Sequence, residues 1–347
     1  MNGTASLSSP ASATAADVVL GADGVRSKSA TATPSTSTPL IPVTSSEARH
    51  YLQAITHIYT DLDGTLFAPG GRLLTNHAGE PSTATAEALV ALKHAGIEVI
   101  IVTGRNGAQG SEMLRILNLQ TFIGELGCLV MEGFGANART SYELGDLDDL
   151  VLAPGLAPGE LPAGMTPYQL IAQSGTIERL LATFPGTLEP AAFYPSTRTV
   201  THAFRGFIDL NHAEDVLSRE PLPLTLVDNG QIHPPTHTLV DCPEIHIYHL
   251  VPRGASKARA VATDMARRGL MSGTSLAIGD SKADVEMGAH TGLFVVMGNA
   301  LHSVAVQTTL SELTAQGNVA LYTKGSTADG WVEFAHALLA AHQSSAD

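Results

Sequence analysis

The chain has 347 residues, 44% of them hydrophobic and 15% charged, which is enough to build one large or two moderate apolar cores. Its formal net charge of −14 disfavours nucleic acids and anionic membranes as partners, because like charges repel. No apolar run reaches the roughly 18 residues of a membrane-spanning helix, and the two cysteines form no Cys-x-x-Cys pair or disulfide framework, so we expect a cytoplasmic protein.

The first predicted segment is a disordered tail. Residues 1–48 consist mostly of Ser, Thr, Ala, Pro and Gly, and they bury too little apolar surface to offset the entropy lost on ordering. Residues 343–347 are expected to be frayed as well.

Buried strands then alternate with helices. The strands "AITHIYT", "IEVIIV" and "TFIGELGCLVM" are separated by the helices "STATAEALVALKHAG" and "AQGSEMLRILNL", and the alternation resumes near the carboxyl end. Unbroken apolar strands between helices are typical of a parallel sheet covered on both faces. The sequence predicts an α/β fold with a Rossmann-like core formed by residues 49–131 and 244–342.

The middle of the chain has a different composition. Residues 132–243 are rich in Gly, Pro and Thr, and short strands alternate with short helices, which predicts an α+β domain inserted into the core. "DNG" at Asp228–Gly230 is typical of a hairpin turn. The strand "EIHIYHLVP", which begins at Glu244, is predicted to lead back into the core.

Two acids, Asp61 and Asp63, stand where the first buried strand ends and a Gly-Thr turn follows. An EF-hand loop is excluded, because Leu66 and Arg72 occupy the positions of its required Gly and Glu. Three interpretations stay open on these residues alone: turn acids that cap backbone donors, a metal-dependent nucleotide-sugar site, and a nucleophilic carboxylate with an acid/base partner.

Three later segments bear on this choice. Thr103 and Gly104 follow the next buried strand, where a hydroxyl and backbone donors suit a phosphate. Lys257 opens a helix and could neutralise phosphate charge, although a single lysine is more often a solvated surface residue. Asp280 and Asp284 lie four residues apart after a late strand, which suits Mg²⁺ or an ordinary helix cap.

The predicted insert offers two weaker candidates, His202 and Arg205, on one strand. They could contact a second anionic or hydroxyl-rich part of a ligand. The alternative is a solvent-facing side of the strand.

Taken together, these segments resemble the haloacid dehalogenase-like hydrolase superfamily. "DLDGTLF" is similar to its first motif, "VTGR" to its second, Lys257 to its third and "GDSKADVEM" to its fourth. The insert resembles the cap of the Cof-like subfamily. That group includes sugar-phosphate, sucrose-phosphate and mannosyl-3-phosphoglycerate phosphatases and, more distantly, phosphomannomutase.

The resemblance implies a role for each matching residue. Asp61 would be the nucleophile and Asp63 the general acid/base. Thr103, Gly104 and Lys257 would hold the phosphate, with Asn299 as a weaker candidate nearby.

The resemblance also implies a Mg²⁺ site. Its ligands would be Asp61, the backbone carbonyl of Asp63, and Asp280, while Asp284 would support the metal or Lys257. The chain departs from the subfamily at Ala283, where Asn is common, and in "IGELGCLV", which lacks the usual Asn-Gly.

The expected function is therefore a Mg²⁺-dependent phosphatase acting through an aspartyl-phosphate intermediate. Its substrate would be a small phosphorylated metabolite, either a sugar phosphate or a phosphoglycerate derivative. The alternatives are a phosphosugar mutase and a catalytically idle regulatory or binding protein of the same fold. The sequence does not indicate the oligomeric state.

Overall fold

The computed structural model describes residues 40–135, 138–191, 197–234 and 236–343. The strands in these ranges are β1 Ile41–Pro42, β2 His57–Thr60, β3 Glu98–Val102, β4 Thr121–Gly124, β5 Leu129–Glu132, β6 Arg139–Tyr142, β7 Leu188–Pro190, β8 His202–Gly206, β9 Leu224–Ile232, β10 Ile245–Pro252, β11 Ser275–Gly279, β12 Leu293–Val296 and β13 Val319–Tyr322. The helices are α1 Ser46–Leu52, α2 Ala84–His94, α3 Gly107–Leu117, α4 Pro167–Gln173, α5 Thr176–Thr183, α6 Leu210–Leu217, α7 Lys257–Arg268, α8 Lys282–Met287, α9 Val304–Ala315 and α10 Thr327–Gln343.

The larger sheet forms the core, in the strand order β1-β13-β12-β11-β2-β3-β4-β5-β6. All neighbours from β1 to β4 pair in parallel, and β5 and β6 add an antiparallel edge. Side chains of the central strands enter two apolar clusters, one on each face, which explains why these strands are apolar throughout. The predicted α/β class with a parallel core sheet is confirmed.

Three adjacent strands of this sheet end together. Thr60 of β2 is paired with Ile101 of β3 on one side and with Ile278 of β11 on the other. Because the three strands are parallel, the residues that follow them meet at the carboxyl edge of the sheet.

A second, antiparallel sheet lies in the inserted part of the chain. Its order is β7-β8-β10-β9, and it packs with α4, α5 and α6 around a separate apolar cluster. We call residues 145–252 the cap. The predicted boundaries were wrong at both ends, because β6 belongs to the core sheet and β10 to the cap sheet. The sequence of β10 is as apolar as that of a core strand, because helices cover one of its faces and the cavity described below lies against the other.

The predicted turn at Asp228–Gly230 was also wrong. These residues lie inside β9, where one extra residue interrupts the pairing with β10 and forms a β-bulge. Gly230 has a φ of +96°, which explains why turn-like residues occur within a strand.

The ordered chain begins earlier than predicted. β1 pairs with β13, and α1 buries Ala48 and Leu52, so the predicted tail was wrong for residues 40–48. Ser45 caps α1 through a 3.0 Å hydrogen bond from the Ala48 N–H. The remaining predicted tails, residues 1–39 and 344–347, lie outside the described residues. Within the described ranges, no helix is both long and apolar enough to cross a bilayer.

A buried carboxylate, Glu125, joins the core to the cap. It follows β4, and it accepts hydrogen bonds from the backbone N–H groups of Thr199, Val200 and Thr201 and from both threonine hydroxyls. Glu125 and Leu126 have φ values of +50° and +61°, a conformation that few residues other than glycine adopt. The backbone therefore accepts strain to direct this carboxylate at the cap.

Candidate active site

Asp61 is the first residue after β2 and is 5% exposed. Its N–H donates to the carbonyl of Ile278 on the neighbouring strand. The Trp331 indole donates to the Thr60 hydroxyl, which in turn donates to the Asp61 carbonyl. The position of this carboxylate is thus fixed by the core rather than by a mobile loop.

Lys257, the first residue of α7, contacts Asp61 directly. Its Nζ donates to Asp61 Oδ1 at 2.7 Å and to Asp284 Oδ1 at 2.8 Å, and the side chain is 5% exposed. Burial alone would lower the pKa of Lys257, but the two carboxylates outweigh it and raise the pKa above its ordinary value. Lys257 is therefore a fixed positive charge beside Asp61.

Asp284 holds Lys257 in place. Its Oδ2 accepts hydrogen bonds from the N–H groups of Asp280 and Ser281 and from the Ser281 hydroxyl, as part of the capping box of α8. The other oxygen, Oδ1, contacts Lys257. Asp284 therefore caps a helix, as one interpretation of the sequence had it, and it also contacts Lys257, as the family resemblance implied.

The acids at this edge form a group that suits a cation. One oxygen each of Asp61, Asp280 and Asp284 lies within 4.8 Å of the others. Burial is the main cause that raises the pKa of Asp61, and burial with the charge of Asp284 raises the pKa of Asp280 to about 7. A divalent ion would offset this crowding of negative charge, and hard carboxylate oxygens are ligands that Mg²⁺ prefers. The residues present therefore fit the predicted metal.

Gly64 allows the first and fourth motifs to approach each other. Its φ is +92°, and a Cβ at this position would collide with the Asp280 carboxylate. Asn299 completes the contact, because its amide donates to the Gly64 carbonyl at 3.1 Å and to Asp280 Oδ2 at 2.9 Å.

Replacing Gly64 by Ala is expected to lower the free energy of unfolding by about 2 to 3 kcal/mol, from backbone strain and displacement of Asp280. Gly79→Ala is the matched control, because Gly79 has a φ of +85° and open space around its missing Cβ. That variant should lose only about 1 kcal/mol. Urea denaturation of both variants checks the difference, and equal losses would show that the contact with Asp280 is unimportant.

Asp63 lies apart from the three-acid group. Its side chain is 51% exposed, and Arg105 binds both carboxylate oxygens, with Nε at 2.8 Å and Nη2 at 2.6 Å. The guanidinium of Arg105 also lies over the Phe67 ring, 5.3 Å from its centroid. The sequence interpretation missed Arg105, although its place directly after Thr-Gly at a strand end was a usable signal.

Thr103 and Gly104 form the loop after β3. Thr103 is buried, and its hydroxyl accepts a hydrogen bond from the Arg105 N–H at 3.3 Å. The Gly104 carbonyl accepts one from Arg198 of the cap at 3.1 Å. This loop therefore lies between the core acids and the cap.

A cavity of about 530 Å³ opens at this point. Its core side includes the residues that the sequence had singled out, namely Asp61, Asp63, Thr103, Gly104, Lys257, Asp280 and Asp284. Its cap side includes Arg198, which the sequence offers as a basic group just before the strand of His202 and Arg205, together with Ile247 and two residues that sequence reasoning missed, Asn229 and His249. The structure thus gathers residues spread over more than two hundred positions into one site.

Comparison with known proteins decides the family. The profile of the haloacid dehalogenase-like hydrolases matches residues 58–142 and 238–315, which bring the first and second motifs together with Lys257 and the fourth motif. The chain belongs to this family. The resemblance proposed from the motifs is confirmed, and with it the prediction of a hydrolase.

Individual relatives of this hydrolase are distant. A phosphoglycolate phosphatase of Methanoculleus marisnigri is 24% identical over 245 residues, which are 70% of this chain and 84% of the relative. The crystal structure of Thermoplasma acidophilum 0175 has a TM-score of 0.52 at 17% identity, covering 82% of this chain and 99% of that one. The structure of SMU.1108c of Streptococcus mutans has a TM-score of 0.51 at 15% identity, and the match covers 82% of this chain and 99% of that one. The two structures show a shared fold.

Three predicted ligand contacts of the hydrolase lie elsewhere. His202 stacks on Tyr168 at 3.7 Å between ring centroids, and Arg205 is paired with Glu189, so neither of these residues lines the cavity. Asn299, predicted near the phosphate, instead contacts Asp280 and accepts a hydrogen bond from the Thr327 N–H. It supports a candidate metal ligand from outside the cavity.

His202 predicts a pH effect on stability. Burial lowers its pKa from 6.5 to about 4, and Nε2 donates to the Tyr168 carbonyl. As the pH falls, His202 takes up a proton in the unfolded chain before it does so in the folded chain. The contribution of neutral His202 to the free energy of unfolding is therefore fully present above pH 6.5, and about 3 kcal/mol of it is lost between pH 6.5 and 4.

The variant His202→Gln tests this expectation, because its amide can keep the bond to Tyr168 but cannot be protonated. The difference in unfolding free energy between the variant and the original chain should change by about 3 kcal/mol across this pH range. Urea titrations at intervals from pH 7 to 4 measure it. A difference that does not vary with pH would exclude this role of His202.

Proposed function

We propose that this hydrolase is a Mg²⁺-dependent phosphatase that cleaves small organic phosphate monoesters through an aspartyl phosphate. The observation that carries the proposal is the buried Asp61 carboxylate, held by Lys257 and crowded by Asp280, with Asp63 facing the same cavity. This arrangement provides a nucleophile, a fixed cation, a candidate metal site and a second acid for proton transfer.

In the first step, an Asp61 oxygen attacks phosphorus and the bond to the ester oxygen breaks. Asp63 donates a proton to the departing alcohol, so the products are the alcohol and an aspartyl phosphate. In the second step, water attacks this phosphorus, Asp63 takes the proton, and the bond to Asp61 breaks to release inorganic phosphate. Bound Mg²⁺ would neutralise charge on the phosphoryl oxygens, with Asp61 and Asp280 as ligands.

Lys257 and Arg105 have different tasks in this scheme. Lys257 stays positively charged between Asp61 and Asp284, and it offsets the charge that builds up on the transferring group. Arg105 binds both oxygens of Asp63 and orients this carboxyl group, and one of the two hydrogen bonds must open for that oxygen to carry the transferred proton.

A small metabolite is the proposed substrate. A cavity of about 530 Å³ bordered by the cap suits a compact phosphate ester, either a sugar phosphate or a phosphoglycerate derivative. The similarity to a protein named phosphoglycolate phosphatase supports a phosphatase acting on small esters. A cytoplasmic location, with no nucleic-acid or membrane partner, stays a prediction based on composition and charge.

The test is a phosphate-release assay with the purified full chain and a panel of phosphorylated metabolites. We expect inorganic phosphate to appear with Mg²⁺, to be absent with EDTA, and to return when excess Mg²⁺ is added. ³¹P NMR of the same mixtures separates the alternatives. An isomerised sugar phosphate without free phosphate would identify a mutase, and binding without turnover would identify a catalytically idle protein.

A further inference from the structure

His249 carries a buried polar atom that the proposed mechanism does not use. The residue lies on β10, lines the cavity and is 3% exposed. Its Nδ1 is buried and has no hydrogen-bond partner among the described residues. Leaving such an atom unpaired costs about 1 to 3 kcal/mol, so its position calls for a partner that the chain does not supply.

The His249 ring is neutral near pH 7. Burial, with a smaller contribution from the charge of Arg198, lowers its pKa to about 3. A neutral imidazole offers one N–H donor and one nitrogen acceptor. A ligand hydroxyl suits such a ring, because it can donate to one nitrogen or accept from the other.

Asn229 presents a second neutral group to the same cavity. It lies at the bulge of β9. The Asp228 carboxylate stabilises this bulge, because it accepts hydrogen bonds from the Gly230 N–H at 2.8 Å and from His246 at 2.7 Å. The Asn229 amide points toward the phosphate loop, 3.4 Å from where a Cβ of Gly104 would be. The Asn229 side chain lines the cavity and forms no hydrogen bond within the described ranges, so its donor and its acceptor are both available to a ligand.

The charge of the cavity decides between neutral and anionic ligands. Its described lining residues include four carboxylates and three cations, namely Asp61, Asp63, Asp280, Asp284, Arg105, Arg198 and Lys257. Since bound Mg²⁺ and a phosphate dianion cancel each other, a formal excess of one negative charge remains. A second anionic group on the substrate would therefore gain no net attraction from the charge of the cavity as a whole, whereas hydroxyl groups can bind to the neutral ring and amide.

We propose that His249 and Asn229 form a subsite for hydroxyl groups on the part of the substrate that leaves as the alcohol. The preferred substrates are then phosphate esters of neutral polyols or sugars rather than esters of hydroxy acids. This inference rests on the proposed phosphatase function and narrows its substrate class.

The experiment compares three esters: glycerol 3-phosphate, which has neutral hydroxyls; 3-phosphoglycerate, which has a carboxylate in place of one of them; and phenyl phosphate, which has neither. The original chain should prefer glycerol 3-phosphate to 3-phosphoglycerate in kcat/KM. His249→Leu should lower the ratio of kcat/KM for glycerol 3-phosphate over phenyl phosphate at least tenfold. His249→Gln should lower this ratio less than His249→Leu does.

A purely structural role of His249 would tie any loss of activity in His249→Leu to a loss of stability. The proposed subsite predicts a different result. Removing an unpaired buried polar atom should keep or raise the melting temperature of His249→Leu, while the substrate ratio falls. Asn229→Ala, on an exposed residue, provides a second variant whose folding is secure, with Asn211→Ala on the surface of α6 as its control. Asn229→Ala should lower the ratio and Asn211→Ala should not.

The outcomes separate this inference from the proposed function. Mg²⁺-dependent hydrolysis of phenyl phosphate with a ratio that neither His249→Leu nor Asn229→Ala changes would overturn the subsite and leave the phosphatase intact. A preference for 3-phosphoglycerate would overturn the subsite as well. No phosphate release from any of the esters would contradict both.

Discussion

Replacing Asp61 by Asn is expected to abolish phosphate release, with kcat lowered by roughly 10⁴-fold or more. The amide cannot attack phosphorus, so the covalent intermediate does not form. The fold should persist, because Lys257 keeps its bond to Asp284 and the Asp61 backbone keeps its bond to Ile278. Steady-state kinetics measure the loss, and far-UV circular dichroism checks the fold.

Asp215→Asn is the matched control, since Asp215 is an exposed acid on α6, far along the chain from the site. Acid quenching of the original chain with ³²P-labelled substrate should trap label on the protein, and Asp61→Asn should trap none. Full activity of Asp61→Asn would remove the basis of the two-step scheme.

Replacing Glu125 by Gln is expected to lower the free energy of unfolding by about 3 to 5 kcal/mol. The carboxylate accepts hydrogen bonds from five donors on Thr199, Val200 and Thr201. An amide would turn its NH₂ group toward at least two of these donors and leave them unsatisfied. Urea denaturation followed by intrinsic fluorescence measures the change.

Hydrogen exchange locates the effect of that change. The amides of residues 199–201 should exchange faster in Glu125→Gln than in the original chain, while those of β2 should be less affected. Glu178→Gln, on the exposed surface of α5, is the control and should change stability by less than about 0.5 kcal/mol. Equal stability of the two variants would mean that the contact between Glu125 and residues 199–201 contributes nothing.

The residues on the core side of the cavity could be predicted from the sequence because the parallel arrangement of the strands restricts where these residues can lie. Once β2, β3 and β11 are recognised as buried neighbours, Asp61, Thr103 and Asp280 must meet at one edge. Lys257 could be added because it opens a helix that packs against the same edge. These relations depend on local patterns and on a general rule of topology.

The cap side could not be predicted in the same way. β10 has apolar residues on both faces, so its sequence alone does not tell a core strand from a cap strand. The bulge at Asn229 is formed by residues that are typical of a tight turn. Only the pairing with β10 shows that this segment is a bulge within a strand and not a turn. His249 becomes a candidate only when the cavity beside it and its unpaired nitrogen are seen.

The contact of Glu125 with the cap also limits how this enzyme can be re-engineered. Exchanging caps between relatives is an obvious way to change specificity, with cuts on either side of residues 145–252. Such a chimaera keeps Glu125 in the core but loses the donors at residues 199–201, which leaves the buried Glu125 side chain without these hydrogen bonds. A successful graft must therefore carry over the 199–201 backbone or replace Glu125 and its strained turn in the same step.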